Sequence, residues 1–159
     1  MPNEFATPPR PTTGRTLVVA AAAAAFLGPA TTAHADPPLN LPVTDAIRAQ
    51  LLEAGAAHKG IPASDFTGLT PGKTYYAYDP DTATYWAGAH LIPSANAYEA
   101  QVADQDAGSY LLFEQPQAGA WTAFNDGVAR SPGCPAPLPA KIIALWEWDP
   151  QKCRPVPDR

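Results

Sequence analysis

The sequence predicts an α+β domain: an antiparallel sheet of about five strands in a meander, packed by an N-terminal helix and a short C-terminal helix. Three observations carry that expectation. Apolar residues recur at spacings of three and four between Val43 and Ala54. Short runs rich in aromatic and apolar residues then alternate with turn-forming dipeptides, and a second helical spacing returns near the C-terminus.

The segment 1–35 has the features of a secretory signal peptide. Arg10 and Arg15 precede the apolar run TLVVAAAAAAFLG, and Ala33-His34-Ala35 offers small residues for cleavage before Asp36. The run from Thr16 to Gly28 is shorter than the ~20 residues a membrane helix needs, and no later stretch approaches that length. No paired arginines precede the run and no cysteine lies near the cut, so neither twin-arginine export nor a lipid anchor is expected. The expectation is a secreted, extracellular protein with no membrane span after cleavage.

Cleavage would leave 124 residues, enough for one domain with its own core. Loss of Arg10, Arg15 and Glu4 takes the formal charge from −5 to −6. The remaining cations are scattered, so the chain lacks the basic footprint that nucleic-acid binding requires.

DPPLNLP, residues 36–42, reads as an extended proline-rich leader, and residues 43–159 as a single domain. In VTDAIRAQLLEAGAAHKG, Thr44 is placed to cap a helix, Asp45 and Lys59 suit its two dipole ends, and Gly60 stops it. IPASDFTGLTPG reads as loop, anchored by Ile61, Phe66 and Leu69. The predicted strands are KTYYAYD, TATYWAGAHLI, AYEAQVAD, SYLLFEQ and WTAFND. Leu138 to Trp146 then predicts the short helix, with a proline near its start and apolar positions 138, 142, 145 and 146. Cys134 and Cys153, an even pair in an exported chain, predict a disulfide. The loop of ~20 residues it closes would be stabilised by about 3 kcal/mol.

The aromatic residues frame the functional question. Alternation puts Tyr76 and Tyr78 on one face of their strand, and Tyr75 and Ala77 on the other. On the next strand Tyr85 falls with the small apolar row Ala87, Ala89 and Leu91, which suits a covering helix, leaving Trp86 on an open face. Tyr76, Tyr78, Trp86 and Trp148 are therefore candidate docking residues, Trp148 because it follows the helix and precedes Pro150. The competing interpretation makes the rings ordinary cross-strand pairs.

In a five-strand meander the first and third turns share an end, which would bring Asp79 and Asp81 near Asp104 and Asp106. Such a group could hold a hard cation through oxygen ligands. The same aspartates are also ordinary turn residues, and no complete calcium-loop pattern is present.

No nucleophile elbow, zinc-protease motif or phosphate-binding glycine loop occurs, and nothing implies a cofactor. A catalytic base would have to be His58 or His90, and a glycosidase pair would be drawn from Glu53, Glu99, Glu114 and Glu147. The stretches GKTYYAYDPDTATYWAGAHLIPS, AQVADQDAGSYLLFEQPQAGAWTAF and CPAPLPAKIIALWEWDP resemble small secreted proteins of actinobacteria without an assigned function. That resemblance implies aromatic strands, a glycine-containing hairpin and a Cys-linked C-terminal helix, with no site to carry over. The sequence thus points to a secreted noncatalytic binding module, an inhibitor or modulator of another exported protein. The alternatives are a small extracellular hydrolase using His58 or His90 with an acidic partner, or a binder of cell-wall glycan.

Overall fold

A computed structural model describes residues 36–106, 110–125, 138–151, 153 and 155–156. The signal segment 1–35 and Cys134 lie outside the described residues. The elements in order are β1 (Leu39–Asn40), α1 (Asp45–Lys59), β2 (Phe66–Leu69), β3 (Tyr75–Asp79), β4 (Thr84–Pro93), α2 (Tyr98–Asp106), β5 (Tyr110–Pro116), β6 (Thr122–Asn125) and α3 (Ala140–Leu145). The sheet is antiparallel with the order β1-β3-β4-β5-β6, and β2 also pairs with β4. The fold is α+β, and β3 to β6 form a four-strand meander where five strands were expected.

α1 starts and stops where its chemistry dictates. The Thr44 side chain accepts the Ile47 N–H at 3.3 Å, satisfying one of the donors that the first turn leaves open. Gly60 adopts φ +68°, and its N–H reaches the carbonyls of Ala56 and Ala57, closing the helix as a left-handed cap. The buried face carries Leu51, Gly55 and Ala56. A Cβ on Gly55 would lie 2.9 Å from a Leu91 methyl, so the bare backbone is what lets the helix approach the sheet so closely.

Ten-residue β4 organises the sheet. Its first half pairs with β3 (Tyr75↔Gly88 to Asp79↔Thr84) and its second half with β2 (Leu69↔Leu91), both on the same edge, while β5 runs along the other. β2 falls in the predicted loop, and its anchors Ile61, Phe66 and Leu69 are buried as expected. The pairing has an irregularity between Phe66 and Gly68, and this broken alternation hid the strand in the sequence. The proline-rich leader is extended but forms part of the domain. Leu39 and Asn40 pair with Tyr78 and Ala77, the Leu41 N–H donates to the Tyr76 carbonyl at 2.9 Å, and the Trp146 indole N–H donates to the Asn40 side chain.

The predicted strand AYEAQVAD is instead α2. Ala100 is buried, and Ala97 and Ala103 pack beside it on the same core. That spacing of three is helical, and the segment's Ala, Glu and Gln favour a helix. Gln101 secures the entry, its amide donating to the carbonyls of Ser94 and Ala95 at 3.0 and 2.8 Å.

Helices cover both faces of the sheet, including the one expected to be open at Trp86, so the domain has three layers. One core joins Leu51 and Ala56 of α1 to Ala87, Ala89, Leu91, Leu111 and Phe113. The other joins Ile142, Ile143, Trp146 and Trp148, in and after α3, to Ala77, Trp86 and Leu112. Cys153 is fully buried in this second core, and no described cysteine is free.

Candidate functional site

The second core revises half of the aromatic expectation. Trp86 is 3% exposed and Trp148 4%, so neither is available as a surface anchor. β4 does alternate as expected, and α1 does cover the Ala87-Ala89-Leu91 row. The opposite face is covered too, because α3 and the turn after it lay Trp146 and Trp148 over it. Trp146 and Trp148 lie 4.6 Å apart between ring centroids, and Tyr75 and Tyr110 meet Trp148 edge-on at 5.1 and 5.4 Å. A six-residue helix gives a weak signal of which face it covers, and only its tertiary docking buries Trp86.

Tyr76 and Tyr78 belong to the other face, with Tyr85. The registers align one row across four strands: Leu39 of β1 opposite Tyr78 of β3, Tyr78 opposite Tyr85 of β4, and Tyr85 opposite Gln115 of β5. α1 packs chiefly on β2 and β6 and less on β4. Leu39 is 52% exposed, while Tyr78 and Tyr85 are half-buried and belong to neither core cluster.

The rings support one another. Tyr78 and Tyr85 stand 4.8 Å apart, Tyr76 stacks on Tyr85 at 5.8 Å, and Trp121 meets Tyr76 at 6.1 Å. Burial, and secondarily the neighbouring Tyr85, raise the Tyr76 hydroxyl above its ordinary pKa of 10.0, so it stays a neutral donor at physiological pH. Trp121 is fixed by its N–H bond to the Gln50 side chain at 3.0 Å. It borders an open groove of about 650 Å³ whose lining includes Gln50, Glu53, Ala57, Gln115 and Ala120. Gln115 belongs to both row and groove, making them one continuous surface. Leu39 and Trp121 were not among the candidates, because their place depends on strand order.

The aspartates do not assemble as a cation site. With AYEAQVAD a helix, the connection carrying Asp104 falls at the far end of β4 from the Asp79-Asp81 turn, about 20 Å away along the strand. Asp79 and Asp81 instead hold the Lys141 ammonium, each with an oxygen at 2.5 Å. The Asp81 N–H also donates to the Asp79 carboxylate at 3.0 Å, the side-chain-to-backbone bond expected of an aspartate turn. Asp104 bonds His90, and the Asp106 side chain lies outside the described residues. Among the described residues, no three His, Cys, Asp or Glu side chains form a metal-binding group.

His90 does have the acidic partner that the hydrolase alternative required. Its Nε2 lies 3.1 Å from Asp104 Oδ1, and its Nδ1 lies 2.5 Å from Thr70 Oγ1. The sequence held no sign of Thr70, which reaches His90 only through the β2–β4 pairing. His58 is exposed in the last turn of α1, where it complements the helix dipole. Glu53, Glu99 and Glu114 are on α1, α2 and β5, and Glu147 follows α3. No helix among the described residues is long and apolar enough to cross a membrane.

No family model, curated protein or solved structure matches the chain. Functional inference therefore rests on the surface itself.

Proposed function

We propose that the protein is a secreted binding module that docks another exported protein through the Leu39-Tyr78-Tyr85-Gln115 row, as an inhibitor or modulator of that partner. The observation that carries this is the row itself: an exposed leucine, two tyrosines and a glutamine in register across four strands, beyond the cover of α1. Tyrosine and tryptophan provide large, rigid contact areas with polar handles, and they are enriched at interface centres. Gln50, Gln115 and Glu53 supply a polar rim around the adjoining groove.

A protein surface suits the row better than a sugar does. Glycan stacking needs a ring face turned to solvent, whereas Tyr85 is stacked on Tyr76 at 5.8 Å and has Tyr78 tilted against it at 4.8 Å. Secretion and the Cys134–Cys153 bridge belong to the same proposal, supported by the signal-like N-terminus and the even cysteine pair.

The test is affinity capture from the producing organism's culture fluid with three forms: wild type, Leu39→Ser with Tyr85→Ala, and Tyr98→Ala. Tyr98 is 77% exposed on α2 and serves as the control aromatic. A partner held by wild type and Tyr98→Ala but lost from the row variant supports the proposal. Equal retention by all three forms, or retention on wall material that free sugars compete away, overturns it.

A further inference from the structure

We propose that Thr70 is a nucleophile activated by His90 and Asp104, and that the protein carries an acyl-transfer activity toward small carboxylic esters. Three separate elements build the site. Thr70 directly follows β2, His90 is in β4 and Asp104 is in α2. The register is fixed by the Thr70 N–H donating to the His90 carbonyl at 2.9 Å. Pro71 holds Thr70 extended, in line with the strand it leaves.

One neutral tautomer of His90 makes both contacts hydrogen bonds. A carboxylate can only accept, so in that tautomer the ring proton is on Nε2, 3.1 Å from Asp104 Oδ1. Nδ1 is then bare and accepts from the Thr70 hydroxyl at 2.5 Å. Nucleophile, base and orienting carboxylate in series form the geometric signature of an activated hydroxyl. The His90 and Asp104 side chains are 27% and 28% exposed and Thr70 is half-buried, so the cluster is open to solvent.

In the reaction, Thr70 Oγ1 bonds to the ester carbonyl carbon while its proton passes to His90 Nδ1. Asp104 balances the imidazolium charge. Collapse breaks the bond from the acyl carbon to the leaving oxygen, and the alcohol departs with the proton from Nδ1. Water then attacks the acyl-threonine and gives a proton to Nδ1. When this intermediate collapses, the proton returns to Thr70 and the carboxylic acid is released. The docking row is on the opposite face of β4, so failure here would leave the docking proposal intact.

The same contacts would be made by a purely structural clamp holding α2 to the sheet, and the test separates the two roles. The protein is incubated with 4-nitrophenyl acetate, the acetylated residue is located by peptide mass spectrometry, and nitrophenol release is followed. The expected result is one acetyl group on Thr70, retained in Thr70→Ser and absent from Thr70→Val. His90→Gln should slow both acetylation and release about 100-fold. Circular dichroism and melting curves establish that each variant is folded. Absence of acetyl-Thr70 in wild type, equal labelling in His90→Gln, or unchanged release by Thr70→Val would each overturn the proposal.

Discussion

A Cβ placed on Gly88 would lie 2.3 Å from Cη2 of Trp148 and 3.0 Å from the Tyr110 hydroxyl, so the indole occupies the space a side chain would need. Trp148 is 4% exposed and wedged edge-on among Tyr75 and Tyr110. A rigid ring held on several sides cannot yield as a leucine methyl can. Gly88→Ala is therefore expected to cost about 1 to 3 kcal/mol through overpacking, read as a lower urea midpoint with an unchanged slope. An unchanged midpoint would mean that the indole moves freely off the sheet.

Truncating Trp86 is expected to cost stability. It is buried beneath α3 with Ala77, Leu112 and Ile142, and Trp86→Ala should lower unfolding stability by about 3 to 5 kcal/mol. Among the described residues its indole N–H has no acceptor, so the loss comes from packing and not from a hydrogen bond. Full stability together with lost partner capture would restore Trp86 as a surface residue.

These two tryptophans also show where the sequence stops being legible. The helix α1, its caps, the strands β3 to β6 and the tyrosine alternation follow from local patterns, which leave their mark within a few residues. Trp86 and Trp148 were misplaced because alternation identifies the face a residue is on but not what covers that face. AYEAQVAD reads as a strand because turn signals bracket a short run, while the helical spacing of Ala97, Ala100 and Ala103 is carried only by small residues that mark a buried face weakly. That single error moved Asp104 to the wrong end of the sheet and hid its meeting with His90. Thr70 and Leu39 were invisible for a related reason: each acquires its neighbours from strand pairing across long stretches of chain.

The Asp79-Lys141-Asp81 cluster predicts a pH-dependent contribution to stability. Burial alone would raise the Asp79 carboxyl, but the Lys141 hydrogen bond and charge, with the Asp81 N–H, hold it below its ordinary 3.8. A carboxyl lowered on folding stabilises above its unfolded pKa, and that contribution is lost as pH falls through the folded value. The Lys141 amine is raised above 10.5, first by its bond to Asp79 and then by Asp81, so its contribution is present below 10.5 and lost as pH rises through the folded value. Lys141→Met should be less stable than wild type, with a gap that narrows once pH falls below about 3.8 or climbs above about 10.5. Urea titrations across that range read the gap directly, and a constant gap would mean that the ion pair contributes nothing.

The docking row makes a demand on local chemistry that the cores do not. Tyr85→Ala removes a ring that stands outside both core clusters, so its thermal cost should fall well below that of Trp86→Ala, roughly 1 kcal/mol. Differential scanning of the two variants side by side provides the comparison. Equal losses would place Tyr85 in the core and remove it from the surface available to a partner.

The most direct measurement is site-specific photocrosslinking, with benzoylphenylalanine at position 39 or at position 98, in culture fluid from the producing organism. Both positions are exposed, at 52% and 77%, but only Leu39 lies in the row across β1, β3, β4 and β5. The expected result is one exported protein crosslinked through position 39, absent from position 98 and lost when Tyr78→Ala and Tyr85→Ala are added. Identical products from both positions, or a product at 39 that survives loss of both tyrosines, would contradict the assignment of this row as the docking surface.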